Sequence, residues 1–180
     1  MKTLIIDNGS KWIDQLVELA GGEKTIIRTI DIHTVDPETY GLIVLSGGSH
    51  VSPVMKNIYL SEEFNLVKNS TVPIIGVCYC AEVIAYGYGG VLEKMEEDHK
   101  GITKLHLMTG SDIEVYESHN FRIKELPEDF IVLGKTDHAI EFFKHKEKPI
   151  YGLQFHPEAF VDITQGKELF REIINNLIAK

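Results

Sequence analysis

Two short, uninterrupted apolar runs constrain this chain more than any other feature. Leu42-Ile43-Val44-Leu45 runs straight into Ser46-Gly47-Gly48-Ser49, and Pro73-Ile74-Ile75-Gly76-Val77 runs into Cys78. A strand with one wet face alternates polar and apolar residues; a continuous run belongs to a strand buried on both faces. Such strands need helices above and below, and the flanking sequence supplies them. Ile13, Leu16, Val17 and Ala20 fall on one face of a helix that Gly21-Gly22 closes. Further helices are predicted around Glu62–Lys68 and over Ala81–Tyr86, and additional strands at Thr3–Asp7 and Thr25–Ile30. This alternation predicts an α/β fold built on an open, mostly parallel sheet.

Beyond Val91 the rhythm changes. Ile102–Met108, Ile113–Tyr116, Ile131–Gly134, Ala139–Lys144 and Ile150–Gln154 read as short strands, a small antiparallel addition that returns to the main sheet. The charged stretch Lys94–Lys100 reads as a solvated loop. Lys167–Ala179 sets Leu169, Phe170, Ile173, Ile174 and Leu177 on one stripe and is predicted to be a packing helix. With no repeat, low-complexity segment or linker, 180 residues read as one compact domain.

Composition excludes several classes of function. A formal net charge of −9 argues against a general nucleic-acid backbone binder, which needs a basic face. No apolar run reaches the roughly 18 residues a membrane helix requires, and the first residues do not read as a signal peptide. Cys78 and Cys80 sit too close together to staple a fold, so a reducing, cytoplasmic setting is expected.

Three segments carry chemistry. Cys78 falls where a buried strand turns into a helix, a junction that lifts the side chain clear of the sheet. The free N–H groups at the helix start favour negative charge there, and thiolate is the reactive form of cysteine. His156-Pro157-Glu158 follows another strand end; an imidazole near a thiol can take its proton, and a carboxylate can fix the imidazole's tautomer. The glycines of Ser46–Ser49 let backbone N–H groups approach a ligand closely, as an oxyanion hole requires. That loop lacks the Gly-Lys-Ser/Thr ending of a phosphate loop. The eight histidines show no metal-ligand spacing such as His-Glu-x-x-His, so neither a metal nor another cofactor is expected. His119 reads equally as a site member or as a cap on a strand end.

The order of these segments resembles the class I (triad-type) glutamine amidotransferases along nearly the whole chain. The resemblance rests on Leu45-Ser46-Gly47-Gly48, Pro73-x-x-Gly76-x-Cys78, Glu117-Ser118-His119-Asn120 and Gly152-Leu153-Gln154-Phe155-His156-Pro157-Glu158. The phrase His145–Gly152 is most similar to the branch of separate glutaminase subunits that serve GMP synthetases. The resemblance implies a flavodoxin-like sheet and a single domain of this family over residues 1–180. It implies Cys78 as nucleophile, His156 as base and then acid, and Glu158 as the partner orienting His156. Gly48 and Tyr79 would supply oxyanion N–H groups, while Gly47, Glu82, Ser118, Asn120 and Phe121 would contact the substrate. It also implies glutamine as substrate and a separate ATP-dependent synthetase that receives the ammonia.

The elbow departs from the family pattern Cys-x-Gly-x-Gln, reading Cys78-Tyr79-Cys80-Ala81-Glu82. Cys80 brings a Cβ where the family has glycine, which would shift the elbow slightly. An ionised Glu82 can only accept hydrogen bonds and would place negative charge beside the thiolate and the developing oxyanion. Two alternatives therefore stand beside glutamine hydrolysis: a thiol hydrolase of another amide or γ-glutamyl compound, and a catalytically silent binding or regulatory module.

Overall fold

The computed structural model describes residues 1–48, 52–55 and 61–178; Ser49 of the glycine loop and Ala179 of the last helix lie outside the described residues. Its nine strands are β1 (Lys2–Asn8), β2 (Glu23–Arg28), β3 (Leu42–Gly48), β4 (Ile74–Val77), β5 (Val91–Leu107), β6 (Asp112–Glu125), β7 (Phe130–Lys135), β8 (Ile140–His145) and β9 (Ile150–Leu153). The helices are α1 (Ile13–Ala20), α2 (Glu62–Asn69), α3 (Tyr79–Gly87) and α4 (Gly166–Ile178). All strands join one sheet in the order β2-β1-β3-β4-β9-β8-β7-β5-β6. From β2 to β9 every pairing is parallel, and the order 2-1-3-4 followed by the last strand is that of a flavodoxin-like sheet. From β9 outward every pairing is antiparallel.

The apolar runs behave as two-sided strands. In β1, Leu4 and Ile6 pack with the side chains of α2 and α3, whereas Ile5 packs with those of α1 and α4. In β3, Ile43 and Leu45 join the first face and Leu42 and Val44 the second. All seven are at most 1% exposed, so each strand residue contributes to one of two cores and none is spent on solvent. Phe170, Ile173 and Ile174 of α4 close the second core, as their spacing predicts.

The antiparallel part is longer than the sequence suggests. Lys94–Lys100 is not a solvated loop: it lies within β5, where Lys94 pairs with Phe121 and His99 with His119 across a bulge. Its charged residues mask a strand because a two-stranded ribbon with wet faces needs little apolar sequence; the partner strand supplies the order through main-chain bonds. Ser118–Phe121 of β6 thereby runs along the carboxyl ends of the parallel strands, the edge where open α/β sheets bind ligands.

Candidate active site

The turn from β4 into α3 forces Cys78 into a conformation that L-residues rarely adopt, φ 48° and ψ −105°. Such a backbone costs on the order of 1–3 kcal/mol and persists only when its surroundings over-determine it. Here they do. The Cys78 N–H donates to the Leu153 carbonyl of β9 at 2.7 Å, and its carbonyl accepts from Glu82 N–H at 3.1 Å. Gly76 lies against the first turn of α3, where a Cβ would come within 3.0 Å of the Cys80 backbone and 2.6 Å of Ile84 Cδ1. The close approach of helix to strand therefore depends on glycine at position 76, while Cys80 is accommodated.

The Cys78 sulfur faces the Ser118 carbonyl of β6 at 3.9 Å. His156 follows β9, its N–H donating to the Tyr116 carbonyl at 2.8 Å, so β6 braces both residues. His156 Nδ1 lies 2.8 Å from Glu158 Oε1, and this carboxylate is 1% exposed. Burial opposes protonation of His156, but the neighbouring Cys78 thiolate and Glu158 carboxylate outweigh it and hold the imidazole pKa well above its ordinary value. The pair is thus built for a thiolate–imidazolium state. Gly47 lies alongside, where a Cβ would stand 3.1 Å from His156 Cε1 and 3.5 Å from Cys78 Cβ.

These groups open into a cavity of about 560 Å³. Gly47, Gly48, Cys78, Tyr79, Glu82, Ser118, Asn120, Phe121 and His156 all line it. Every site residue named from the sequence is therefore gathered at one place, with Glu158 directly behind His156. His119 lines the same cavity and is not a strand cap: its Nδ1 bonds the Phe121 carbonyl at 2.8 Å and its Nε2 lies 3.5 Å from Glu141 Oε1.

Residues 4–176 match the family model described as glutamine amidotransferase class-I. The chain belongs to that family. It is 30% identical over 183 residues to the A-type subunit of GMP synthase (glutamine-hydrolyzing) from Methanocaldococcus jannaschii, covering 93% of each chain. The corresponding protein of Thermoplasma acidophilum is 31% identical over 188 residues, covering 97% of this chain and 92% of that one. The fold agrees: a crystal structure described as this same type of GMP synthase subunit, from T. acidophilum, superposes with a TM-score of 0.84 at 29% identity, over 99% of this chain and 94% of that one.

Within this amidotransferase the two departures at the elbow have structural explanations. Cys80 is fully buried and free, and its sulfur donates to Glu63 Oε1 at 3.0 Å, an oxygen that also accepts from Asn8 Nδ2 at 2.7 Å. Burial, with Glu63 next in importance, pushes the Cys80 thiol well above its ordinary pKa, which suits a structural donor and not a nucleophile. Glu82 is 5% exposed, and burial pushes its pKa up to about 7, against the smaller opposing pull of the Gln154 amide, which donates to its Oε1 at 3.1 Å, and of His119. The expectation of an ionised, accept-only Glu82 is corrected accordingly: near neutral pH a large share is the protonated acid, able to donate and to accept as an amide does.

Sequence reasoning missed three participants. Asn8 and Glu63 are brought to Cys80 from β1 and α2, and no spacing links them to it. Glu141, fully buried in β8, faces His119 and Glu82 from a strand whose apolar neighbours hide it in the pattern. Burial likewise pushes Glu117 up to about 8, with Glu141 adding to the effect, while Glu141 first, then Cys78 and Glu117, hold the His119 imidazole near 9 despite its burial.

Proposed function

We propose that residues 1–180 act as one glutamine-hydrolysing domain that supplies ammonia to a separate ATP-dependent synthetase, in the manner of a GMP synthase glutaminase. The single observation that carries this reading is the buried line Cys78–His156–Glu158 opening on a cavity bordered by Gly47, Gly48 and Tyr79. Glutamine's amide carbon is attacked by the Cys78 thiolate. The Gly48 and Tyr79 N–H groups stabilise the oxyanion, one such donor being worth on the order of 3 kcal/mol of barrier. The C–N bond then breaks as His156 gives its proton to the departing nitrogen, and a γ-glutamyl thioester and ammonia result. Water, deprotonated by His156, attacks the thioester; glutamate leaves and the thiolate returns. Glu158 keeps the imidazole oriented through both steps. Gly47, Ser118, Asn120 and Phe121 bind the amino-acid end of the substrate, and Glu82 in its protonated form takes the place of an amide in the pocket.

The name of the relatives, glutamine-hydrolyzing GMP synthase, supports glutamine over another γ-glutamyl compound. A reducing, cytoplasmic location is part of the same reading, supported by the two free thiols; among the described residues no helix is long and apolar enough to cross a membrane. The test is ammonia release from glutamine by the chain alone and with a candidate synthetase, together with labelling by a thiol-directed glutamine analogue. Labelling confined to Cys78, with glutamine-dependent ammonia release, is the expected result; an unlabelled Cys78 at neutral pH points instead to a silent binding module.

A further inference from the structure

Three residues that the hydrolysis does not use converge beside the same cavity, which one of them, His99, lines. His99 Nδ1 lies 3.9 Å from Glu117 Oε2, and His138 Nε2 lies 3.2 Å from that same oxygen. The three ligand atoms are all within 4.8 Å of one another, and the two imidazole rings lean against each other with centroids 3.8 Å apart. The fold explains the convergence. On the β5–β6 ribbon His99 pairs with His119 and Gly101 with Glu117, which makes His99 and Glu117 diagonal neighbours on one face. His138 reaches them from the turn between β7 and β8, and its carbonyl is fixed by the Arg122 guanidinium at 3.1 Å.

We infer that His99, Glu117 and His138 form a binding site for a divalent cation of the zinc class. The donor set is two imidazole nitrogens and one carboxylate oxygen, a common set for zinc with an open fourth position. Tetrahedral zinc, with bonds of about 2.0–2.1 Å, sets its ligand atoms about 3.3 Å apart. The His138–Glu117 separation already has this value, and His99, 3.9 Å from the same oxygen and partly exposed, has room to close on the ion. A second observation points the same way. Glu117 is 2% exposed, and among the described residues its other oxygen, Oε1, has no hydrogen bond within 3.5 Å, the Thr136 hydroxyl acting on this carboxyl only weakly. A cation bonded to Glu117 gives this buried carboxyl a charged partner. His99 lines the cavity, so the site adjoins the cavity that holds Cys78. The ion would tie β5, β6 and the β7–β8 turn together at the rim.

The site is tested on the full chain, stripped with a chelator and titrated with Co2+ as a spectroscopic probe, then with Zn2+ as competitor. One Co2+ per chain is expected, with visible ligand-field bands and no thiolate-to-cobalt charge transfer, and Zn2+ displaces it. His138→Ala, His99→Ala and Glu117→Gln each weaken binding by at least about tenfold, whereas Cys78→Ser leaves it unchanged. Zn2+ also raises the melting temperature of the parent chain but not of His138→Ala, a variant in a half-exposed turn. The inference is overturned by the absence of saturable binding to the parent chain, by binding that survives both histidine substitutions, or by a charge-transfer band that disappears with Cys78→Ser. None of these readouts depends on turnover, so they stand apart from the test of glutamine hydrolysis.

Discussion

Glu82→Gln isolates what a buried carboxyl contributes at the elbow. In the folded chain burial raises the Glu82 pKa from an ordinary 4.5 to about 7. The unfolded chain therefore releases this proton at lower pH than the native state does. Native stability is unaffected below about pH 4.5, declines as pH rises from there through about 7, and levels off above. At about 1.4 kcal/mol per pH unit, the full loss is about 3 kcal/mol. Glutamine at position 82 keeps the bond with Gln154 and has no proton to lose. Urea unfolding of both proteins should show nearly equal stability at pH 4 and an advantage of about 3 kcal/mol for Glu82→Gln at pH 8. For a chain of this size that is about 6–12 °C in melting temperature. Activity follows the same proton. At pH 8 a group with a pKa of about 7 is roughly one-tenth neutral, so Glu82→Gln should raise glutamine kcat/KM about tenfold at pH 8 and little at pH 6. A stability difference that does not change with pH refutes the burial argument. Lower activity at both pH values gives the carboxylate an active role and favours a substrate other than glutamine.

Other substitutions separate the roles around the nucleophile. Cys78→Ala abolishes ammonia release, whereas Cys80→Ala retains it and costs about 1–2 kcal/mol in urea unfolding, because Glu63 loses one of its donors; equal loss of turnover from both reverses the assignment of nucleophile. Glu158→Gln lowers kcat by at least about tenfold with KM little changed, since the imidazole loses the carboxylate that orients it and stabilises its charge. Gly47→Ala pushes a methyl group to within 3.1 Å of His156 Cε1 and reduces kcat by at least about tenfold, while the melting temperature moves by no more than about 3 °C.

Much of the parallel half could be read from residues, because two-sided burial leaves an unmistakable trace: Leu42–Leu45 and Pro73–Val77 are apolar at every position, and each ends on a residue of the site. The elbow was legible for the same reason, since a strand that stops at a cysteine before a helical pattern leaves little choice of geometry. The ribbon was not. Lys94–Lys100 is charged and half wet, and its strand character comes from main-chain pairing with β6, which no local pattern encodes. The ionisation of Glu82 was invisible too: a pKa depends on what surrounds a group in space, and Glu141, His119 and Gln154 come from three separate segments of the chain. Asn8 and Glu63 escaped notice because their partner, Cys80, was judged by its size and not by the hydrogen bond its thiol makes.

Strand β6 touches both catalytic residues, the Cys78 sulfur through the Ser118 carbonyl and the His156 main-chain N–H through the Tyr116 carbonyl, two residues apart on one stretch of main chain. The sulfur of one residue and the main chain of the other are thus held by a common rail. The alignment of the pair therefore depends on the outer ribbon as well as on the parallel strands that carry the two residues.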